Sequence, residues 1–232
     1  MIKIENESVS SISRAIYSAR NAMNSWDKSD SDLEKDIVGS NDLALAKRLC
    51  SAGTDHRKFM RMITVYVDIT APLYWWSEYD TYKVGTVANS CSKMHTLHKK
   101  EFTLDDFSHE HLGDDWNDRK NLVDYNDEYF NTPLDVMRWI IEALNNYRDL
   151  YLETKDKKYW YEMIQLLPSS YNQRRTVMLN YEVLANIYKS RKGHRLDEWK
   201  TMLDWIETLP YSELITGESK DKNETEGEDE ED

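Results

Sequence analysis

Apolar positions recur at helical spacing through most of the chain and alternate most clearly in one short stretch. From Val9 to Trp26, residues Ile12, Ala15, Ile16, Ala19, Met23 and Trp26 share one face, which predicts an amphipathic helix. The polar run Asp27 to Ser40 predicts a loop. Asn41 is then expected to cap a second helix carrying Leu43, Ala44, Ala46, Leu49 and Cys50, with a stop at Gly53 and His56 just beyond it. Between Arg61 and Thr70, Ile63, Val65, Val67 and Ile69 alternate with mostly polar neighbours, the signature of a half-buried strand. Ala71-Pro72 leads this strand into the aromatic segment Leu73 to Tyr79, where proline suits the first turn of a helix.

Farther on, Thr132-Pro133 opens a long helix whose apolar side holds Met137, Ile140, Ile141, Leu144, Tyr147, Leu150 and Tyr151. A second amphipathic piece, Lys157 to Leu167, ends at Pro168. A polar segment with two adjacent arginines follows, and Asn180 then opens the apolar series Leu184, Ile187 and Tyr188. Arg191 lies about three turns after Asn180 at roughly 3.6 residues per turn, so Asn180, Leu184, Ile187 and Arg191 fall near one face, ahead of a stop at Gly193. The closing helix carries Leu196, Trp199, Met202, Leu203 and Ile206 and stops before Pro210.

Only 7 Gly and 4 Pro in 232 residues argue against an all-β chain built on tight turns. The 40% hydrophobic and 12% aromatic content supplies a substantial core, so one folded domain over residues 1–215 is expected. Net charge is −13, of which Thr216 to Asp232 contributes −7 from nine acids and two lysines; this segment reads as a disordered acidic tail. An acidic chain is a poor general partner for nucleic acid. No apolar run approaches the roughly 20 residues that span a bilayer, and the N-terminus lacks a leader pattern, so no membrane partner and a cytoplasmic location are expected. Cys50 and Cys91 have neither framework nor zinc spacing and read as buried thiols.

Leu167-Pro168, Arg174, Asn180, Asn186 and Arg191, with Glu198 on the next helix, resemble the C-terminal half of the flavin-dependent thymidylate synthases, the ThyX family. The resemblance implies an α+β fold, helix-rich with a small antiparallel sheet. It implies that Arg174 and Arg191 contact deoxyuridine monophosphate and orient it for catalysis, and that Asn180 and Asn186 contact FAD. Methylenetetrahydrofolate and NADPH would be the other partners, in a homotetramer whose sites are shared between subunits. The same residue types also serve as an ordinary helix cap and as a cation at a helix end.

The family signature is an Arg-His-Arg triplet, a short spacer, a serine and then Arg-Tyr. This chain resembles it with Thr81-Tyr82-Lys83, eight residues, Ser92 and then Met94-His95. Asn89 and Ser92 fit, Lys83 keeps one positive charge, and Glu78 stands at the position of a family glutamine. Lysine is a point charge where arginine is a planar fork, and each lost charged hydrogen bond is worth roughly 1.5 to 3 kcal/mol. A carboxylate at Glu78 facing a phosphate would repel it unless paired or protonated. The implied contacts are therefore Lys83, Ser92, Glu78, Arg174 and Arg191 for nucleotide, and Asn180, Asn186, Asn89 and Tyr82 for flavin, with His95 a further contact of such a rewired pocket. Two readings stand beside flavin-dependent methylation: a noncatalytic nucleotide-binding or sequestering protein on the same fold, and a structural or interaction protein.

Other chemistry finds little support. Glycine-rich phosphate loops, G-x-S-x-G and HExxH are missing from the sequence. The pair His95 and His98, and the run His109, Glu110, His111, Asp114 and Asp115, lack the fixed spacing of a metal motif, and no metal is expected. The aromatics Tyr74, Trp75, Trp76, Tyr79 and Tyr82 suit either a ring-stacking surface or a core.

Overall fold

The structure is a computed structural model that describes residues 1–114 and 132–217. It is α+β and helix-rich. Four strands, β1 (Lys3–Ser10), β2 (Thr64–Pro72), β3 (Val87–Ser90) and β4 (Asn172–Asn180), form one small antiparallel sheet in the order β1-β2-β4-β3. The helices are α1 (Ile12–Ala19), α2 (Ser40–Ser51), α3 (Leu73–Tyr79), α4 (Lys93–Thr96), α5 (Pro133–Thr154), α6 (Lys157–Leu166), α7 (Tyr181–Arg191), α8 (Asp197–Thr208) and α9 (Glu213–Thr216). No helix among the described residues is long and apolar enough to cross a membrane. The acidic segment from residue 218 lies outside the described residues, as does Asp115; Thr216, placed in the tail from sequence, instead closes α9.

The alternation read from sequence builds β2: Ile63, Val65, Val67 and Ile69 are buried, while Tyr66 faces outward. The polar segment before Asn180 is a strand as well, β4. Its inward positions Gln173, Val177 and Leu179 are buried, but Arg174, Arg175 and Thr176 interrupt the apolar pattern, which is why it did not read as a strand. The expected helix from Val9 to Trp26 is shorter. Residues to Ser10 form β1, a charged strand at the sheet's edge, where charge discourages further pairing. Ser11 turns the chain in the left-handed region (φ 67), and α1 keeps only Ile12, Ala15 and Ile16 in the core. Beyond Ala19 the chain winds into 3-10 turns, leaving Met23 82% exposed.

Contacts gather the chain into two compact units. The first comprises Met1–Lys3, Thr70–Thr81 and Ser90–Arg175; the second comprises Ile4–Ile69, Tyr82–Asn89 and the chain from Thr176. In the first, α5 packs on α6, and Leu97, Phe102, Phe107, Met137, Ile141, Leu144 and Met163 form a core. Thr132 caps α5 by accepting the Asp135 N–H, with Pro133 in the first turn, as its sequence requires. Trp75, Trp76 and Tyr79 of α3 are buried against one another, the two indoles edge to face at 5.0 Å, so these aromatics belong to the core.

In the second unit α7 packs on α8 and α9, with Leu184, Ile187, Trp199, Met202 and Ile206 all buried. Asn41 does not cap α2. Ser40 already begins that helix, and Asp30 from the preceding loop accepts the N–H groups of Asn41 (2.8 Å) and Asp42 (3.1 Å). Gly39 permits this approach, since a Cβ there would lie 2.2 Å from the Asp30 carboxyl carbon. On the same helix Asp42 is fully buried and accepts from Arg20 Nε (2.5 Å) and from the hydroxyls of Ser29 and Ser31.

Removing one partner of a buried ion pair leaves the other charge uncompensated. Asp42→Ala is therefore expected to lower the unfolding free energy by about 3 to 5 kcal/mol, read by urea denaturation. The Asn41 N–H holds the Asp30 carboxyl below its ordinary value of 3.8. Because the folded pKa is depressed, this capping contribution is present above that value and is lost as pH falls through the folded pKa. Asp30→Ala should remove that part of the acid-side loss of stability, measured as unfolding midpoint against pH.

Candidate functional site

Asn180 ends β4 with extended backbone and caps α7, its Oδ1 accepting the Val183 N–H at 3.0 Å, as the sequence predicts. Its Nδ2 donates to the Gly85 carbonyl at 3.5 Å, so the same amide seats the loop before β3 on the start of α7. Gly85 has φ +80, and a Cβ there would lie 2.8 Å from Asn180 Nδ2 and 3.4 Å from Val183 Cγ2. Both its backbone and its neighbours require glycine. Within the loop, Thr86 Oγ1 donates to the Tyr82 carbonyl, while Lys83 and Asn89 are exposed.

At the other end of α7, Arg191 is the last helical residue. Its guanidinium lies 4.4 Å from the Trp199 ring centroid and 5.4 Å from that of Tyr82, and Nε donates to the Tyr82 hydroxyl at 2.9 Å. Tyr82 and Trp199 meet edge to face at 6.1 Å, and His194 approaches Trp199 at the same distance. A cation held over aromatic faces keeps its charge in a fixed direction. Tyr82, expected at the flavin, is thus brought to Arg191, expected at the nucleotide.

Asn186 lies on the exposed side of α7. Its Oδ1 accepts from Arg57 Nη2 at 3.3 Å, and Arg57 is also paired with Glu182, at 2.9 Å through Nε and 3.2 Å through Nη2. This fork turns the amide so that its nitrogen is the end left to donate. Arg57 is not among the residues that the sequence singles out, and its neighbour His56 is exposed. The available signal was Glu182 and Asn186 four apart on one helix face.

The remaining candidates lie in the first unit. Glu78 is half-buried on α3, where its carbonyl accepts the N–H and hydroxyl of Thr81. Ser92 is exposed at the start of α4, and Arg174 is exposed on β4, its carbonyl accepting the Cys91 N–H at 3.0 Å. Arg175, which sequence reasoning passed over, turns inward instead: it pairs with Asp80 at 2.8 Å, covers the Trp76 ring at 4.2 Å and donates from Nε to Gln173 Oε1 at 3.2 Å. Gln173 in turn donates to the Cys91 carbonyl at 2.8 Å. Burial, and then the charge of Arg175, lower the Lys93 pKa. Parity along β4 was the signal for Arg175, which shares its face with Val177 and Leu179.

Cys91 is exposed, contrary to the buried thiol expected, because it lies just beyond β3. Cys50 is half-buried, and burial pushes its thiol up to about 11. His95 is exposed, and His98 lies edge to face with Tyr151 at 5.2 Å. Glu110 forms an ion pair with the N-terminal amine and accepts from Ser108 Oγ at 2.8 Å. Among the described residues no group of three or more His, Cys, Asp or Glu side chains is placed to hold a metal.

No protein-family model matches the chain, and no curated protein matches it. Solved structures do. Thymidylate synthase X (ThyX) from Helicobacter pylori with FAD and dUMP is similar at a TM-score of 0.65 and 17% identity, over 93% of this chain and 97% of that one. A second structure of the Helicobacter pylori enzyme with FAD and dUMP gives 0.64 and 18%, over 92% and 97%. A UMP/dUMP methylase, PolB from Streptomyces cacaoi bound with 5-Br dUMP, gives 0.55 and 14%, over 94% of each chain.

The Asn180 and Gly85 contact supplies its own test. Asn180→Ala is expected to cost about 1 kcal/mol for the lost cap. Gly85→Ala should cost more than about 1 kcal/mol from its positive φ and close neighbours. In the double variant the cost should be less than the sum, because removing the Asn180 amide relieves the tightest contact of the new methyl; thermal unfolding of the four proteins measures it.

Proposed function

We propose that this chain, whose fold is that of ThyX, binds a pyrimidine nucleotide and carries out flavin-dependent methylation of dUMP or a related nucleotide. The observation that supports this most is the arrangement along α7, with Asn180 at its start, Asn186 on its exposed side and Arg191 at its end over Tyr82 and Trp199. Structures with this fold hold FAD with dUMP, and 5-Br dUMP. Asn186 suits a flavin: Arg57 occupies its oxygen, which leaves the amide nitrogen to donate to a ring carbonyl or ring nitrogen. When bound, FAD supplies hydride originating from NADPH, and methylenetetrahydrofolate supplies the carbon.

This chain's residues bind and orient. Arg191 directs its positive charge at the nucleotide, Tyr82 fixes the guanidinium through Nε, and Trp199 supports it from its ring face. Arg174, Lys83, Ser92 and Glu78 are the further nucleotide contacts in this reading, and Asn89 joins the flavin contacts. The protein works as a homotetramer in the cytoplasm, with residues 1–215 as the functional body.

The substitutions at Thr81 and Met94, where the family carries arginines, favour a second reading, nucleotide binding without redox chemistry. Visible absorption of the purified protein, before and after FAD is added, separates the two, followed by release of tritium from C5 of labelled dUMP. Flavin uptake with tritium release supports methylation; dUMP binding to a protein that ignores FAD supports the second reading. Loss of one charged hydrogen bond is worth roughly 1.5 to 3 kcal/mol, so Arg191→Ala should weaken dUMP binding about 10- to 150-fold in calorimetry. Lys83→Ala should weaken it less, as befits an exposed point charge. Unchanged binding in both variants would overturn both readings.

A further inference from the structure

A cleft of about 650 Å³ in the second unit is lined by Arg20, Lys28 and Arg48 together with Met23 and Leu45, and no carboxylate lines it. The buried Asp42 neutralises Arg20. Lys28 and Arg48 are exposed and form no ion pair among the described residues, and the nearby Asp30 is committed to the start of α2. The cleft is therefore cationic, with apolar walls.

We infer that this cleft docks the acidic segment 224–232 of the same chain. That segment, ETEGEDEED, has seven acids and no base, and is the most strongly charged stretch of the sequence. Its point of departure fits. Gly217, the last described residue, follows α9, which packs against α2, and Gly217 shares a second cleft with Lys47, Cys50 and Ser51 at the end of α2. Asn41, Leu45 and Arg48 of the cationic cleft lie on that same helix. At about 1.5 Å per residue α2 is roughly 18 Å long. Six residues separate Gly217 from Glu224, a contour of at most roughly 20 Å, comparable with the length of α2.

Such docking is electrostatic and shallow, so it weakens as the screening length falls from about 10 Å at 0.1 M salt to about 3 Å at 1 M. Zero-length carbodiimide cross-linking of the full chain, read by mass spectrometry, tests it, because Lys28 can be joined only to a carboxylate in direct contact. The expected result is a Lys28 cross-link to residues 224–232, several-fold more abundant than any from the exposed Lys99, and lost at 1 M salt. Arg48→Glu should reduce it several-fold while leaving Lys28 in place. Cross-linking at Lys28 no greater than at Lys99, or indifferent to Arg48→Glu, overturns the inference. Mixing light and heavy isotope-labelled chains checks the occupant: cross-links within one label support docking of the chain's own segment, and mixed-label cross-links overturn it in favour of a second copy.

Discussion

The Asn180 side chain is the constraint on which the candidate site depends. One amide stands at the end of β4, accepts the Val183 N–H in the first turn of α7 and donates to Gly85 in the loop that carries Tyr82. Because α7 is stiff, fixing its start also fixes where Arg191 emerges at its end, 11 residues later. The loop brings Tyr82 to the same guanidinium from the opposite direction in sequence. The arrangement closes on itself, so the cation at the end of the helix is placed by the cap at its beginning.

Charge inside the second unit is handled by pairing. Arg20 with Asp42 and Arg57 with Glu182 are two such pairs among the described residues, and each carries a further role: the first joins the turns after α1 to α2, and the second orients Asn186. Buried pairs contribute little net stability but are costly to break, so they act as registration devices between segments far apart in sequence. Arg175 does similar work in the first unit, where Asp80 and the Trp76 ring hold it.

The departures from the signature that this chain resembles fall at Thr81, Lys83 and Met94. The groups that support the start and end of α7 are in place. A fold can therefore be retained through its packing and caps while the charged contacts to a ligand change, since the two depend on different residues. The aromatic cluster illustrates the division: Trp75, Trp76 and Tyr79 serve the core, and Tyr82, three residues on, faces the cation.

The sequence by itself determined the elements whose signals are local. The alternation of β2, the Thr132-Pro133 start of α5, the Asn180 cap and the apolar face of α7 each depend on residues within a few positions of one another. Only the tertiary structure decided that the arginine-rich run before Asn180 is a strand, because its pairing with β2 and β3 offsets a poor apolar pattern. It also decided that Asp30 caps α2, that Arg57 reaches Asn186 across 129 residues, and that Tyr82 reaches Arg191 across 109. Side-chain periodicity encodes which face is buried. It does not encode which distant donor meets which acceptor, since that follows from how the buried faces pack.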